Sequence, residues 1–179
     1  MDKFNFDQVI KKLEQAKSSL PKVLANDTKK FFLASWQKQG WDDNGIAKWA
    51  PRKKNKNKRA AGRAILVKSG ALRRAVNGSL RSATFNSIKF SVDLPYAQIH
   101  NEGGAINKGS RRMASLNFKI GKDGKSRFAK YKNSNFQKRN IYIGAHSVNM
   151  PKRQFMGDSA SSRKIQKETI QKSTDKIFK

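Results

Sequence analysis

The sequence predicts an α+β fold, in which an antiparallel sheet of about four strands packs against an N-terminal and a C-terminal helix. Hydrophobic residues recur at helical spacing near both ends of the chain, whereas those between residues 88 and 94 alternate with polar neighbours, as in a half-buried strand. A chain of 179 residues is long enough for one domain with its own core. We therefore expect a single domain over residues 1–179.

The first helix is predicted from a one-sided hydrophobic repeat near the start of the chain. The members of this repeat are Phe6, Val9, Ile10, Leu13, Ala16 and Leu20. Pro21 interrupts the repeat, but proline also suits the first turn of a helix, so a second helix can follow until Gly40 stops it. This region should therefore form a helical hairpin or one kinked helix.

Two tryptophans flank a turn-rich segment that runs from Trp41 to Pro51. Trp41 and Trp49 should pin this segment onto the core, because buried indole rings contribute a large apolar area. Stacking on unpaired bases is the alternative, and it requires rings that are exposed beside basic groups.

A basic arm is predicted over residues 52–63, where positive side chains are separated only by Asn, Ala and Gly. These side chains are Arg52, Lys53, Lys54, Lys56, Lys58, Arg59 and Arg63. The segment has no hydrophobic face to bury, so it should extend into solvent. Its charges are either simply solvated or in contact with phosphates or an acidic partner.

The middle of the chain changes from helical to strand-like spacing. The expected elements are a helix over residues 72–76, strands over 79–85 and 88–94, and a helical turn over 96–101. Ser69 is placed to cap the helix, and Pro95 should end the second strand. Gly103 and Gly104 then break the helical turn.

Residues 105–140 are rich in Lys, Arg, Gly, Ser and Asn and are predicted to be a flexible basic insertion that contains a hairpin. The elements expected here and beyond are strands over residues 115–120, 127–131 and 141–143, a loop over 147–153, and a helix from Ser159 onwards.

Charge is the extreme feature of the composition. The chain has 40 Lys and Arg residues against 12 Asp and Glu, a formal net charge of +28. A molecule of this charge attracts any polyanion, so nucleic acid, an acidic protein or an anionic membrane could bind it. The absence of cysteine excludes disulfides and thiolate catalysis. We see neither a signal peptide nor a membrane-spanning run and expect a soluble, cytoplasmic chain at synthesis.

The sequence predicts no catalytic, cofactor-binding or metal-binding residue. His100 and His146 belong to no His-x-x-x-His pair or Cys/His cluster, so a zinc site would lack ligands. His100 is instead expected to be structural, with a hydrogen bond inside its turn or at a subunit contact. Phosphate-binding glycine loops and serine-hydrolase elbows are missing, and no Asp lies in a context suited to general acid catalysis. A nuclease site assembled by folding is the remaining enzymatic alternative.

Four short motifs follow one another in a fixed order from Trp49 to the last helix. They are a Trp followed closely by Pro, an apolar stretch that leads to Gly-x-Leu, a Tyr-Ala-x-Ile-His turn with a nearby Gly, and Arg-x-Phe-x-Gly-x-Ser. The residues that match them are Trp49, Pro51, Leu66, Gly70, Leu72, Tyr96, Ala97, Ile99, His100, Gly103, Arg153, Phe155, Gly157 and Ser159. In these motifs the chain resembles the phage virion morphogenesis family, also called the tail completion family. Gln154, where proline is common in that family, and the long basic insertion depart from the pattern.

The resemblance implies a non-enzymatic protein that completes the phage tail or joins it to the head. Its partners would be tail or neck proteins and further copies of itself, in a ring, with DNA contact left open and no membrane. The virion would be its final location, after assembly in the host cytoplasm. The motif residues would be scaffold, with the rings of Tyr96 and Phe155 buried.

The contact residues for partners or nucleic acid are proposed from their charge. They are Arg52, Lys53, Lys54, Lys56, Lys58, Arg59, Arg111 and Arg112. The alternative from another class is a free-standing nucleic-acid-binding protein, in which the same side chains would do the main work.

Overall fold

A computed structural model describes residues 5–52, 63–128 and 136–178, and its contacts divide the chain into two compact units. The first, which we call the helical unit, comprises residues 1–103 and 151–179, and the second, the strand unit, comprises residues 104–150. Helices and antiparallel strands are both present, which confirms the predicted α+β class.

In the helical unit, the described residues form four helices and four short strands. They are α1 (Phe6–Lys38), β1 (Gly40–Asp42), β2 (Ile46–Lys48), α2 (Ala71–Asn77), β3 (Leu80–Ala83), β4 (Ile88–Phe90), α3 (Ala97–Glu102) and α4 (Ala160–Phe178). β1 pairs with β2 and β3 with β4, both antiparallel, and α4 packs along α1. Within the described ranges, no helix is both long enough and apolar enough to cross a membrane.

The helix α1 is continuous through Pro21, so the helical hairpin is wrong and a single helix is found. The side chain of Asn5 caps its start by accepting the N–H of Gln8 at 3.2 Å. At its end Gln39, not Gly40, takes the left-handed conformation with φ 48°. Gly40 instead permits a close strand approach, since a Cβ there would lie 2.5 Å from the carbonyl oxygen of Ala47.

The core of the helical unit is an aromatic cluster that begins in the second half of α1. The buried members are Phe31, Phe32, Trp36, Trp41, Trp49, Leu72, Val76, Ala97 and Phe155. Trp36 contacts both Trp49 and Phe155, with ring centroids 5.8 and 5.3 Å apart. Trp41 and Trp49 are only 6% and 5% exposed, so they pin their segment onto the core as predicted and offer no open face to a base.

Outside residues 129–135, which the structure does not describe, the strand unit forms five strands in two antiparallel sheets. They are β5 (Gly104–Lys108), β6 (Arg111–Ile120), β7 (Ser126–Phe128), β8 (Phe136–Ile143) and β9 (His146–Met150). β5 pairs with β9, and β6 is the middle strand between β7 and β8. The predicted hairpin is present, because β6 and β7 are joined by a turn at residues 121–125.

Three details of the sequence-based prediction differ from the structure. The antiparallel strands form four small sheets rather than one sheet of about four strands. Residues 146–150 were expected to lie mainly in a loop but form β9, because pairing with β5 supplies hydrogen bonds that their polar composition does not suggest. Ser69 is not the N-cap of α2; that position is Gly70, at φ 72° and with no side-chain cap.

Candidate functional site

Three of the four motifs meet in the helical unit at a cluster that we call the motif junction. It consists of Trp49 to Pro51 after β2, the α3 turn with His100, Asn101 and Gly103, and the loop from Lys152 to Phe155 before α4. The segments are more than forty residues apart in sequence, yet hydrogen bonds join them directly. The turn and the loop therefore hold each other in place.

Arg153 is the centre of the junction. Its main-chain N–H donates to the carbonyl of His100 at 2.8 Å, its Nε donates to the carbonyl of Ala50 at 3.0 Å, and one Nη donates to that of Pro51 at 3.3 Å. The residue is only 7% exposed. Burial, and next the positive charge of Arg52, lower the pKa of the Arg153 guanidinium. Arg153 thus holds Ala50 and Pro51, the two residues that precede the predicted basic arm in the sequence.

Asn101 and Trp49 complete the hydrogen bonds of the junction. The carboxamide oxygen of Asn101 accepts the main-chain N–H groups of Phe155 and Met156 at 3.0 and 3.1 Å. The indole N–H of Trp49 donates to the carbonyl of Gln154 at 2.8 Å. Proline would offer the same carbonyl, so the departure from the family pattern at Gln154 leaves this contact unchanged.

Gly103 allows the α3 turn and the loop before α4 to approach so closely that no side chain would fit between them. Its φ is 78°, in the left-handed region, and a Cβ there would lie 2.8 Å from the main-chain nitrogen of Lys152. Any side chain at this position would push the loop away from the turn.

The last motif residues fix the start of α4. The hydroxyl of Ser159 donates to the carbonyl of Asp42 at 2.6 Å, and the carboxylate of Asp43 accepts the N–H of Ala160 at 2.7 Å. Asp42 pairs with Lys38 and also accepts the hydroxyl of Ser161, and these contacts, the Lys38 bond first, lower the pKa of its carboxyl group. Both aspartates of the predicted aromatic turn therefore have structural partners.

The aromatic motif residues differ in burial. Phe155 is 1% exposed and packs in the core, as expected. Tyr96 is 39% exposed, so the expectation that it buries its ring is wrong. It precedes α3, where its ring meets the edge of His100 with centroids 6.0 Å apart, and both residues line a cavity.

This cavity has a volume of about 410 Å³ and lies entirely in the helical unit, beside the motif junction. Its apolar wall comes from Ile65, Leu66 and Leu72, and Arg52, Lys68 and Arg153 contribute positive charge. Leu66 has φ 58°, a conformation that is rare for a bulky residue. The second motif thus lines a cavity, whereas the other three form the junction.

His100 is half-buried in the wall of this cavity. Its main-chain N–H donates to the carbonyl of Tyr96 at 3.3 Å, inside its turn, and a hydrogen bond at a subunit contact stays a prediction. Its Nδ1 is shielded from solvent and has no partner among the residues that the structure describes. Burial, and next the charge of Arg153, lower the pKa of the imidazole, so the ring is neutral at pH 7. Its main-chain carbonyl, not its ring, ties the α3 turn to Arg153.

The charged residues proposed as contacts fall in both units. Arg52 is exposed and its guanidinium donates to the carbonyl of Ala64 at 2.6 Å, a bond between the described residues on either side of positions 53–62. Arg111 and Arg112 are exposed at the start of β6, opposite Ile143 and Tyr142 of β8. The remaining proposed contacts, Lys53, Lys54, Lys56, Lys58 and Arg59, lie outside the described residues.

The arrangement of the motifs can be compared with known families. The family model described as the phage virion morphogenesis family matches residues 6–174, nearly the whole chain. The chain belongs to the phage virion morphogenesis family. The match includes α1, which precedes all four motifs. Neither a search of curated proteins nor a search of solved structures found a match.

Membership of the phage virion morphogenesis family assigns the chain to the assembly of phage virions. In the described ranges, no three His, Cys, Asp or Glu side chains lie together in a way that could hold a metal ion. Sequence reasoning missed Asn101, Gln39 and the structural use of Asp42, since each acts on a distant main-chain atom or side chain. For Asn101, its place directly after the Tyr-Ala-x-Ile-His turn is the signal that could have found it.

Proposed function

We propose that the chain is a non-enzymatic assembly protein that completes the phage tail or joins it to the head through contacts between proteins. Further copies of the chain and tail or neck proteins are its partners, and a ring is the closed symmetric form that such copies would take. The observation that carries this proposal is the motif junction, whose polar side chains bind the protein's own main chain.

The polar groups of the motifs are occupied in holding the fold together. Arg153, Asn101 and Ser159 each bind main-chain groups of a distant segment. Residues used in this way stabilise one precise shape, which a protein that acts through surface complementarity requires. The function then falls to the exterior, where most of the Lys and Arg residues that the structure describes are exposed.

The strand unit supplies one concentrated part of that exterior charge. Residues 104–150 contain eleven Lys and Arg and a single acid, Asp123. The exposed basic residues of its strands and turns include Arg111, Arg112, Lys119, Lys122, Lys125, Arg127 and Arg139. A surface of this kind recruits acidic partners quickly and orients them through long-range attraction.

Nucleic-acid binding by the free protein is the second candidate, and the shape of the strand unit favours it. β6 and β8 form a long antiparallel pair with Arg111, Arg112 and Arg139 exposed. Among the described residues, β7 pairs only with residues 118–120 of β6, so residues 111–117 form a two-stranded ribbon with β8, and such a ribbon is narrow enough to enter the major groove of DNA. Binding to duplex DNA by the isolated protein, with affinity that falls steeply as salt rises, would favour this candidate over assembly.

The assembly role is tested by electron microscopy of phage particles made without this protein. Unjoined heads and tails, or tails with abnormal ends, are the expected result, and supplying the wild-type protein in trans should restore infectious particles. The double variant Arg111→Gln, Arg112→Gln should restore fewer particles than Lys89→Gln, which removes one exposed charge from the helical unit. Normal infectious particles without the protein would overturn the proposal.

A further inference from the structure

The cavity beside the motif junction has the properties of a binding site that neither the family nor the motifs assign. We propose that it receives an acidic side chain, Asp or Glu, from a hydrophobic segment of a neighbouring virion protein. The identity of the partner as a virion protein rests on the proposed assembly role, whereas the chemistry of the cavity does not.

Positively charged side chains line the cavity. The guanidinium of Arg153 has five N–H bonds, and only two of them meet an acceptor among the described residues. Arg52 and Lys68 add two more positive charges, and none of the described residues that line the cavity is acidic. Arg153 therefore keeps N–H bonds for a carboxylate that enters the cavity, and a charge-assisted hydrogen bond to a mostly buried guanidinium is a strong one.

His100 adds a neutral polar group to the same wall. Its Nδ1 is buried and without a partner in the part of the chain that the structure describes. This nitrogen has almost no accessible surface, so it does not itself open onto the cavity, and His100 acts here as a neutral wall residue whose resonances can report an occupant.

The remaining lining selects against a free inorganic anion. Ile65, Leu66, Leu72 and the half-exposed ring of Tyr96 present an apolar surface of side-chain size. A volume of about 410 Å³ is large enough for an acidic side chain together with an apolar neighbour. A carboxylate on an aliphatic stem satisfies both parts of the lining, whereas phosphate would leave the apolar wall uncovered.

The occupant has to come from another protein. Segment 53–62, which lies next to Arg52 in sequence, contains Lys, Arg, Asn, Ala and Gly but no acid. The chain as a whole has only 12 acidic residues, against 40 basic ones. Charge complementarity therefore points to an acidic partner rather than to a second copy.

The test is an NMR titration of the full-length protein with two short capped peptides, acetyl-Leu-Glu-Leu-amide and acetyl-Leu-Gln-Leu-amide. The chain has two histidines, and His146 is exposed in the strand unit, so its ring is an internal control. The glutamate peptide should move the imidazole resonances of His100 and leave those of His146 unchanged, and the glutamine peptide should move neither.

A charge variant checks that the effect arises in the cavity. Lys68→Gln should weaken binding of the glutamate peptide about two- to fivefold, because it removes one exposed charge from the rim. Lys89→Gln removes an equally exposed charge from β4 and should leave the affinity unchanged. Both positions are on the surface, so both variants should fold.

Three results would overturn the inference: no shift at His100, equal effects of the two peptides, or an equal effect of inorganic phosphate at matched ionic strength. The titration needs no phage particle, so its failure would leave the assembly role standing. Peptide binding by a protein that phage particles do not need would instead overturn the assembly role alone.

Discussion

The carboxamide oxygen of Asn101 accepts two main-chain N–H groups, so the substitution Asn101→Ala leaves both donors without an acceptor. A buried donor without a partner costs about 1–3 kcal/mol, which gives about 2–6 kcal/mol for the pair. Phe155 is only 1% exposed, but Met156 is half-buried and water can reach it. We therefore expect the free energy of unfolding to fall by about 2–4 kcal/mol.

Urea unfolding followed by tryptophan fluorescence measures this loss in the relevant unit, because Trp36, Trp41 and Trp49 are all buried in the helical unit. Asn101→Asp is the matched control, since a carboxylate oxygen can accept the same two N–H groups, and its stability at pH 7 should lie within about 1 kcal/mol of wild type. Wild-type stability in Asn101→Ala, or an equal loss in Asn101→Asp, would refute the argument.

Three further substitutions test other contacts of the helical unit, again by urea unfolding followed by tryptophan fluorescence. Gly103→Ala should cost about 2–4 kcal/mol, because the left-handed backbone disfavours alanine and the new Cβ meets the main chain of Lys152. Phe155→Ala should cost about 3–5 kcal/mol, since it empties a fully buried site. Asp42→Asn should cost about 1–2 kcal/mol at pH 7, where the carboxylate binds Lys38. Because contacts lower the pKa of Asp42 below its ordinary value of 3.8, its contribution is present above pH 3.8 and should be lost as the pH falls through the lowered pKa.

Each of these predictions has a control in the helical unit. Gly78→Ala should change stability little, because its added Cβ meets only ordinary contacts at 3.8 and 3.9 Å. Phe85→Ala removes a ring that is 64% exposed and should also have little effect. Asp158→Asn, at an exposed ion pair with Arg163, should change the free energy of unfolding little. A control substitution that lowers the free energy of unfolding as much as its paired test substitution would contradict that prediction. For Asp42→Asn, a loss of stability that persists at acid pH would also contradict it.

Local patterns in the sequence predicted the helices and several strands well. The repeat from Phe6 to Leu20 lies in α1, and the alternation at Ile88 and Phe90 marks β4. Periodicity did not reveal what each hydrophobic face meets. Phe6 is 71% exposed and Ile10 53% exposed, and the core begins only in the second half of α1. The period of a helix fixes which residues share a face, not which part of that face is covered.

The contacts of the motif junction could not be predicted from the sequence, although its motifs could be recognised. Asn101 reaches a loop more than fifty residues away, and Gln39 accepts the N–H of Ile65 at 2.7 Å. An Asn or Gln in a sequence does not indicate such a contact, because its partner is a main-chain N–H, a group that every residue except proline has. β9 was missed for a related reason, since its pairing with β5 crosses the whole strand unit and leaves little trace in five mostly polar residues.

Dependence on main-chain partners also governs how this protein can evolve. The carbonyls of Ala50, Pro51 and Gln154 serve Arg153 and Trp49, and any amino acid at those three positions would supply the same oxygen. Substitutions at these three positions therefore keep the acceptor oxygens. Arg153 and Trp49, which donate to them through their side chains, tolerate almost no substitution. Related sequences can therefore diverge at these positions and keep the same hydrogen-bonded fold. Their surface residues are then free to change as the partner proteins change.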